Sequence, residues 1–276
     1  MALHETLTDA VSLIRPGITV AIPPEYCGIA MAATCELIRR GIGELHLVAV
    51  PQSGLQADML IGAGHVKTLE AAAITMGERG PAPRFAAAIK AGAITMMDAT
   101  CPAIHAALQA SEKGLPFLPL RGILGSDVLA HRPDWQIIDN PFGTKGPDSS
   151  DPIVALPAIR PDVALFHCEM ADREGNLWIG RRRELATMAH ASAMTVATVE
   201  TIHDGNFFDD EILAAGALPA AYVDAIAHAP RGAWPLGMPG TYDADGATLD
   251  GYCLAAASQE TFDAWLTDHL LHRDAA

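Results

Sequence analysis

Residues 18–50 read Ile18-Thr-Val-Ala-Ile22, Pro23-Pro24-Glu25-Tyr26-Cys27-Gly28, Ile29-Ala-Met-Ala-Ala-Thr-Cys-Glu-Leu-Ile-Arg39-Arg40, Gly41-Ile-Gly-Glu44, Leu45-His-Leu-Val-Ala-Val50. The first block is a short apolar, β-branched run, the kind buried on both faces of a parallel sheet. Pro23 and Pro24 stop it, because neither can donate a ladder hydrogen bond. From Ile29 the period becomes helical: Ile29, Ala32, Ala33 and Leu37 share a face. Arg39 and Arg40 suit the last turn, and Gly41 suits its C-terminal cap. Leu45–Val50 is a second buried strand. A crossover of this length joins parallel strands with right-handed connection. The turn Pro23–Gly28 therefore lies at a strand's carboxyl end, where open α/β sheets bind ligands.

The same alternation continues outward. An amphipathic helix over residues 4–15 precedes this unit. Leu60–Gly64 reads as a glycine-rich turn, and Lys67–Thr75 fits strand or helix. Helices are expected at Arg84–Ala91, from Pro102 to about Lys113, at Glu184–Ser192 and from Leu249 to Leu271. Strands are expected at Ile94–Met97, Phe117–Pro119, Val163–His167, Leu177–Ile179, Thr195–Val199 and Val223–Ile226. Residues 139–152 read as a surface loop and Pro230–Tyr242 as an irregular excursion. The expected fold is an α/β domain spanning 1–276, with an open, mostly parallel sheet and helices on both faces.

Composition narrows the function. The chain has 276 residues, half of them apolar, enough for a sizeable core. Eighteen cations against 33 anions give a net charge of −15, which disfavours nucleic acid and anionic membranes as partners. No apolar run reaches the length of a membrane span. The start, Met1-Ala-Leu-His-Glu-Thr6, has no secretory signal pattern. Five scattered cysteines without a C-x-x-C pair argue against a disulfide framework or a zinc site and point to the cytoplasm.

Several residues could carry chemistry. Glu25, Tyr26, Cys27 and Gly28 either line a ligand cleft or make an ordinary turn. Gln52, Ser53 and Gly54 follow the second strand; the Ser53 hydroxyl could meet a substrate carboxylate or carbonyl, or serve the turn. Asp98 ends a strand and could act as an acid or cap the next helix. Cys27 and Cys101 sit at strand-to-helix transitions, where a thiol is either activated or buried and inert. Arg181-Arg-Arg183 could meet a phosphate or form a solvated face. Asp172–Asn176 reads as a structural turn. Gly62-Ala-Gly64 lacks the third glycine of a dinucleotide fingerprint, and no Walker lysine or G-x-S-x-G elbow occurs. The histidines, including His269 and His272, show no metal-ligand spacing. No metal or permanently bound cofactor is expected.

Four segments carry a family resemblance: Pro16-Gly-Ile-Thr-Val-Ala21; Leu60-Ile-Gly-Ala-Gly-His-Val-Lys67; Gly114-Leu-Pro-Phe-Leu-Pro-Leu-Arg-Gly-Ile-Leu-Gly-Ser-Asp127; and Arg160-Pro-Asp-Val-Ala-Leu-Phe-His-Cys-Glu-Met-Ala-Asp-Arg-Glu-Gly-Asn176. In order and spacing, from about Pro16 to Ala229, they resemble the α-type subunit of family I CoA-transferases, the group of glutaconate and 3-oxoacid CoA-transferases. The resemblance implies a CoA thioester and a carboxylic acid as substrates. It also implies a β-type partner, as an α2β2 assembly, with the active site between the chains. There a β-chain glutamate attacks the thioester, giving an anhydride and then a glutamyl-CoA thioester. Its usual context, Ser-Glu-Asn-Gly, is absent here, so the nucleophile belongs to the partner. The resemblance adds Gly125 and Ser126 to the candidate substrate-binding residues.

One departure is clear. The family pattern has Gly-Gly-Phe after the first strand, followed by a glycine and a proline, where this chain has Ile22-Pro23-Pro24, then Glu25-Tyr-Cys-Gly28; prolines supply no amide to an oxyanion. The superfamily also holds ring-opening hydrolases in which an α-chain glutamate acts; Cys101 aligns at or near it, with Asp98 the nearest acid. The same fold serves as an effector-binding domain in repressors, but no basic helix-turn-helix segment accompanies it here.

Overall fold

The computed structural model describes residues 6–143 and 150–271. A short helix, α1 (Leu7–Val11), leads into strand β1 (Thr19–Ile22), helix α2 (Met31–Arg39) and strand β2 (Leu45–Ala49). Next come β3 (Gln52–Ser53), α3 (Leu55–Gly62), β4 (Val66–Ala71) and β5 (Ala73–Ile74). Then follow α4 (Pro83–Ala91), β6 (Thr95–Asp98), α5 (Cys101–Glu112), β7 (Phe117–Leu120), β8 (Gln136–Asp139) and β9 (Pro152–Pro157). The last part holds β10 (Val163–Asp172), β11 (Leu177–Trp178), α6 (Arg183–Ala191), β12 (Met194–His203) and α7 (Glu211–Ala215). It closes with β13 (Ala217–Leu218), β14 (Ala225–His228), α8 (Gly246–Ala255) and α9 (Gln259–Leu266).

The main sheet pairs β6, β4, β2, β1, β10, β12 and β14 in that order, all parallel. Two short antiparallel strands, β11 and β13, extend it beside the far end of β10. The chain winds outward from β1 through β2, β4 and β6, and outward the other way from β10 through β12 and β14. The order therefore reverses between β1 and β10, and a crevice opens at their carboxyl ends. Side chains alternate into two cores. Val20, Ile22, Leu45 and Leu47 pack with α1, α2, α3 and α9, whereas Ala21, Val48, Phe166 and Val199 pack with α5 and α6. Burial of both faces explains why these strands read as unbroken apolar runs.

The expected strand-helix-strand unit is present with its boundaries moved by one or two residues. Two expectations need correction, and one expected loop gains flanking strands. The stretch read as a turn around Leu60 is the end of α3, whose residues Leu55–Ile61 are all buried. A helix buried on every side, with Gln56 and Asp58 hydrogen-bonded inside, shows no stripe for a periodicity reading to find. The loop expected over 139–152 is flanked by β8 and β9, which with β7 form a separate antiparallel sheet. Residues 144–149 of that loop, and residues 4 and 5 of the opening helix, lie outside the described residues. The single closing helix is two: Ser258 caps α9 by accepting from Thr261 N, breaking the run after Ala255.

The small sheet packs on Ala103 and Ala106 of α5 through Val154 and Leu156. Arg132, with its side chain 3 % exposed, fastens this region to the main sheet. It pairs with Glu70 of β4 at 2.7 Å and with Asp134 at 2.8 Å, and donates to the Asp98 carbonyl.

Candidate functional site

The turn after β1 folds on itself when Cys27 N donates to the Pro24 carbonyl at 2.9 Å. This carries the Glu25 side chain across the sheet end to α3. The N-cap of α3 is Gly54, which has no side chain to offer. Glu25 supplies the missing acceptor: its Oε1 takes the Leu55 N–H at 3.0 Å. Gly54 cannot be larger, because a Cβ there would stand 2.5 Å from Glu25 Cδ and 2.5 Å from the Thr75 carbonyl oxygen. Glu25 is more than a cap, however. Its Oε2 is buried and unpartnered, and burial pushes the carboxyl from 4.5 up to about 7 despite the backbone N–H donors. The group can hold or release a proton near neutral pH.

Beside it, β3 pairs with β5, so Ser53 lies fully buried with its hydroxyl unpartnered. Gln52 and Gly54 flank it. Tyr26 is 57 % exposed. Cys27 is buried, and its burial pushes the thiol up to about 12, so of the two readings for this cysteine the inert one holds. Gly28 adopts φ +65 and runs against β10: its carbonyl accepts from His167 N at 2.7 Å, and a Cβ would clash with the His167 carbonyl oxygen.

A cavity of about 570 Å³ opens at this point, between Gly28, the end of β10 and the start of α6. Arg181, Arg182 and Arg183 all line it. Arg182 Nη1 donates to the Tyr26 carbonyl at 2.9 Å, tying the arginine run to the β1 turn. The run is therefore part of the crevice and not only a solvated face.

Beneath the cavity lies a polar network that sequence reasoning missed. His167 is fully buried; its Nε2 meets Glu200 Oε1 at 2.8 Å and its Nδ1 meets Thr198 Oγ1 at 2.7 Å. Glu200 also accepts from Tyr242 Oη and from Arg231 N, both at 2.5 Å. Burial would raise the Glu200 carboxyl, but His167, Tyr242 and Arg231 N together hold it below its usual value. The network pins the Arg231–Tyr242 excursion over the sheet end. His167 lies 31 residues before Thr198, and Glu200 lies 42 before Tyr242, so no local signal links them.

The remaining candidates sit on other elements. Asp98 ends β6, three strands from β1, or ~14 Å at ordinary strand spacing. It does not cap α5: Thr100 does, accepting from Ala103 N. Cys101 follows it in the first turn, exposed, so the buried reading fails there. Gly125 and Ser126 belong to the segment between β7 and β8, where Ser126 Oγ caps a short turn by accepting from Val128 N. Asp172 confirms the structural turn, fully buried and accepting from Glu174 N, Asn176 N and Phe207 N. His269 stacks on Trp265 with ring centroids 4.3 Å apart; His272 lies outside the described residues.

A family model for coenzyme A transferase matches residues 4–229. The chain belongs to the coenzyme A transferase family. It is 31 % identical to the A chain of the 3-oxoadipate CoA-transferase of Pseudomonas knackmussii, over 98 % of this chain and 94 % of that one. The glutaconate CoA-transferase structure from Acidaminococcus fermentans superposes with TM-score 0.89 and 29 % identity, covering 99 % of this chain and 90 % of that one. The decarboxylase AibA/AibB, solved as a cysteine-to-serine variant, gives TM-score 0.83 and 29 % identity over 99 % and 100 %. A shorter match, 30 % identical over 62 % of this chain and 58 % of the relative, is to the cholesterol ring-cleaving hydrolase IpdA subunit of Mycobacterium tuberculosis.

Within this CoA-transferase chain the switch-point crevice thus combines three chemistries. A carboxyl able to exchange a proton sits at the end of β1, an unpartnered hydroxyl sits beside it, and guanidinium groups line the adjoining cavity. Among the described residues no helix is long and apolar enough to cross a membrane, and no cluster of three or more His, Cys, Asp or Glu could hold a metal ion.

Proposed function

We propose that this chain, acting as one unit over residues 1–276, is the α subunit of a heteromeric CoA-transferase moving CoA between an acyl-CoA and a carboxylic acid. A β-type partner supplies the nucleophilic glutamate, in an α2β2 assembly in the cytoplasm. The carrying observation is similarity to the A chain of a CoA-transferase along nearly the whole of both chains. The missing Ser-Glu-Asn-Gly segment agrees with it. Tyr26, 57 % exposed at the turn, and Ile212, 81 % exposed on the cavity wall, give such a partner an apolar rim to cover.

In this reading the partner's carboxylate attacks the thioester carbonyl, the C–S bond breaks, and CoA leaves as thiolate. The thiolate then attacks the glutamyl carbonyl of the anhydride and releases the first acid. The acceptor acid reverses both steps and leaves with CoA. CoA is substrate throughout and never a resident cofactor. Tyr26, Gly28, Gln52 and Gly54 with Glu25 make up this chain's part of the site, and Ser53 and Cys27 are buried just behind it. Asp98, Gly125 and Ser126, carried on other elements, are the remaining candidates for substrate contact.

The test traps the intermediate. The assembled complex is incubated with acyl-CoA and treated with borohydride, which reduces a glutamyl thioester to an alcohol; mass spectrometry then locates the change. A modified partner glutamate with loss of activity is expected, and an adduct on Cys27 or Cys101 would overturn the reading. Glu25→Gln and Ser53→Ala should each lower turnover while the complex still assembles.

The match to the ring-cleaving hydrolase subunit supports a second reading, thioester-dependent hydrolysis. It requires no covalent adduct and no acceptor acid. The exposed Cys101, aligned near the hydrolase glutamate, offers no carboxylate for it.

A further inference from the structure

We propose that the cavity at the switch point is an oxyanion subsite, in which Arg181 and Arg183 hold the phosphate or carboxylate oxygens at the anionic end of a substrate. The proposal takes from the reading above only the identity of the substrates.

The charge distribution carries it. In a chain of net charge −15, cations readily find carboxylates: Arg39, Lys67, Arg79, Arg121, Arg132 and Arg173 each do. Arg181 and Arg183 are exposed at the cavity, and no hydrogen bond or ion pair engages either guanidinium among the described residues. Arg182 between them is committed to the Tyr26 carbonyl. Three guanidinium groups face a single carboxylate, Glu169, in the cavity wall. A concave site with an excess of one sign of charge concentrates the opposite ion, and free guanidinium forks match carboxylate and phosphate oxygens.

Two further features agree. Helix α6 starts at Arg183 with no side chain capping it, so its first N–H groups and positive dipole end lie at the same wall. Trp178, also in the wall, has a buried indole N–H without an acceptor. The volume, about 570 Å³, suits a substrate-sized group and exceeds what a lone ion needs.

Trp178 makes the subsite directly observable. The whole chain is titrated with CoA, with dephospho-CoA, with inorganic phosphate and with glutarate, following tryptophan fluorescence. A saturable change that Trp178→Phe abolishes is expected. The double variant Arg181→Ala/Arg183→Ala should weaken binding by about tenfold or more, the scale of losing a charge-assisted contact, and Arg181→Lys/Arg183→Lys should recover part of it.

If the loss is largest for CoA and smaller for dephospho-CoA, the subsite holds phosphate. If it is confined to glutarate, the subsite holds a substrate carboxylate. Unchanged binding of every probe by the folded alanine variant, checked by circular dichroism, overturns the proposal. Because the readout is binding to this chain, it is separable from the transferase reading: arginine-dependent binding with no glutamyl adduct on a partner would overturn that reading and leave the subsite standing.

Discussion

Replacing Glu25 by glutamine separates the two things its carboxyl does. The side chain is nearly isosteric and keeps an oxygen to accept from Leu55 N. What it removes is ionisation. In the folded chain burial holds this carboxyl at about 7, against 4.5 when free. Below pH 4.5 both states are protonated and the group costs nothing. As pH rises from 4.5 to about 7 the unfolded state ionises first, so folded stability falls; above pH 7 the loss is complete. At roughly 1.4 kcal/mol per pH unit the full loss is about 3 kcal/mol. The amide of glutamine meets no acceptor where Oε2 is now unpartnered, a pH-independent cost of ~1–3 kcal/mol. The variant should therefore be somewhat less stable than the parent at pH 5. It should then gain on the parent by about 2–3 kcal/mol between pH 5 and pH 8, near 5 °C in melting temperature for a chain of this size. Urea unfolding of both proteins at pH 5, 6, 7 and 8 measures it, and the other titrating groups cancel in the difference. A constant difference across that range would refute the argument, since Glu25 would then be an ordinary ionised helix cap.

Arg132→Met should cost about 3–5 kcal/mol, because it strands the Glu70 carboxylate in a buried position, and adding Glu70→Gln should recover much of that loss in chemical denaturation. Maleimide should label Cys101 first in the native chain and leave Cys27 and Cys168 unmodified until unfolding, as both are buried with their thiols pushed up; mass spectrometry of timed samples reads the order.

Local signals were strong where one element declares itself. The change from a buried β-branched run to helical period at Ile29, with prolines between, located β1, α2 and β2 almost to the residue. Pro102 announced α5, although its cap is Thr100 and not Asp98. The same signals misled where burial removes contrast. Helix α3 is buried on all sides, Gln56 and Asp58 included, and its end read as a glycine turn, and β8 and β9 border the loop residues that dominate that stretch.

The candidate site divides in the same way. Position at a strand's carboxyl end marked Glu25, Gly28 and Ser53 as residues worth testing, because chain direction in a parallel unit follows from the crossover alone. That Glu25 reaches across to α3, that Ser53 is sealed with an unpartnered hydroxyl, and that Gly28 lies against His167 depend on contacts between separate elements. The adjacency of β1 and β10 decides most of all: Val20 pairs with Val163, far along the chain from it. It sets the reversal in strand order, opens the crevice there, and brings the Arg181–Arg183 run beside Tyr26. Period, capping and turn chemistry act over a few residues and are written in the chain. Strand order is settled by which faces bury against which helices, a choice made only when the whole sheet packs.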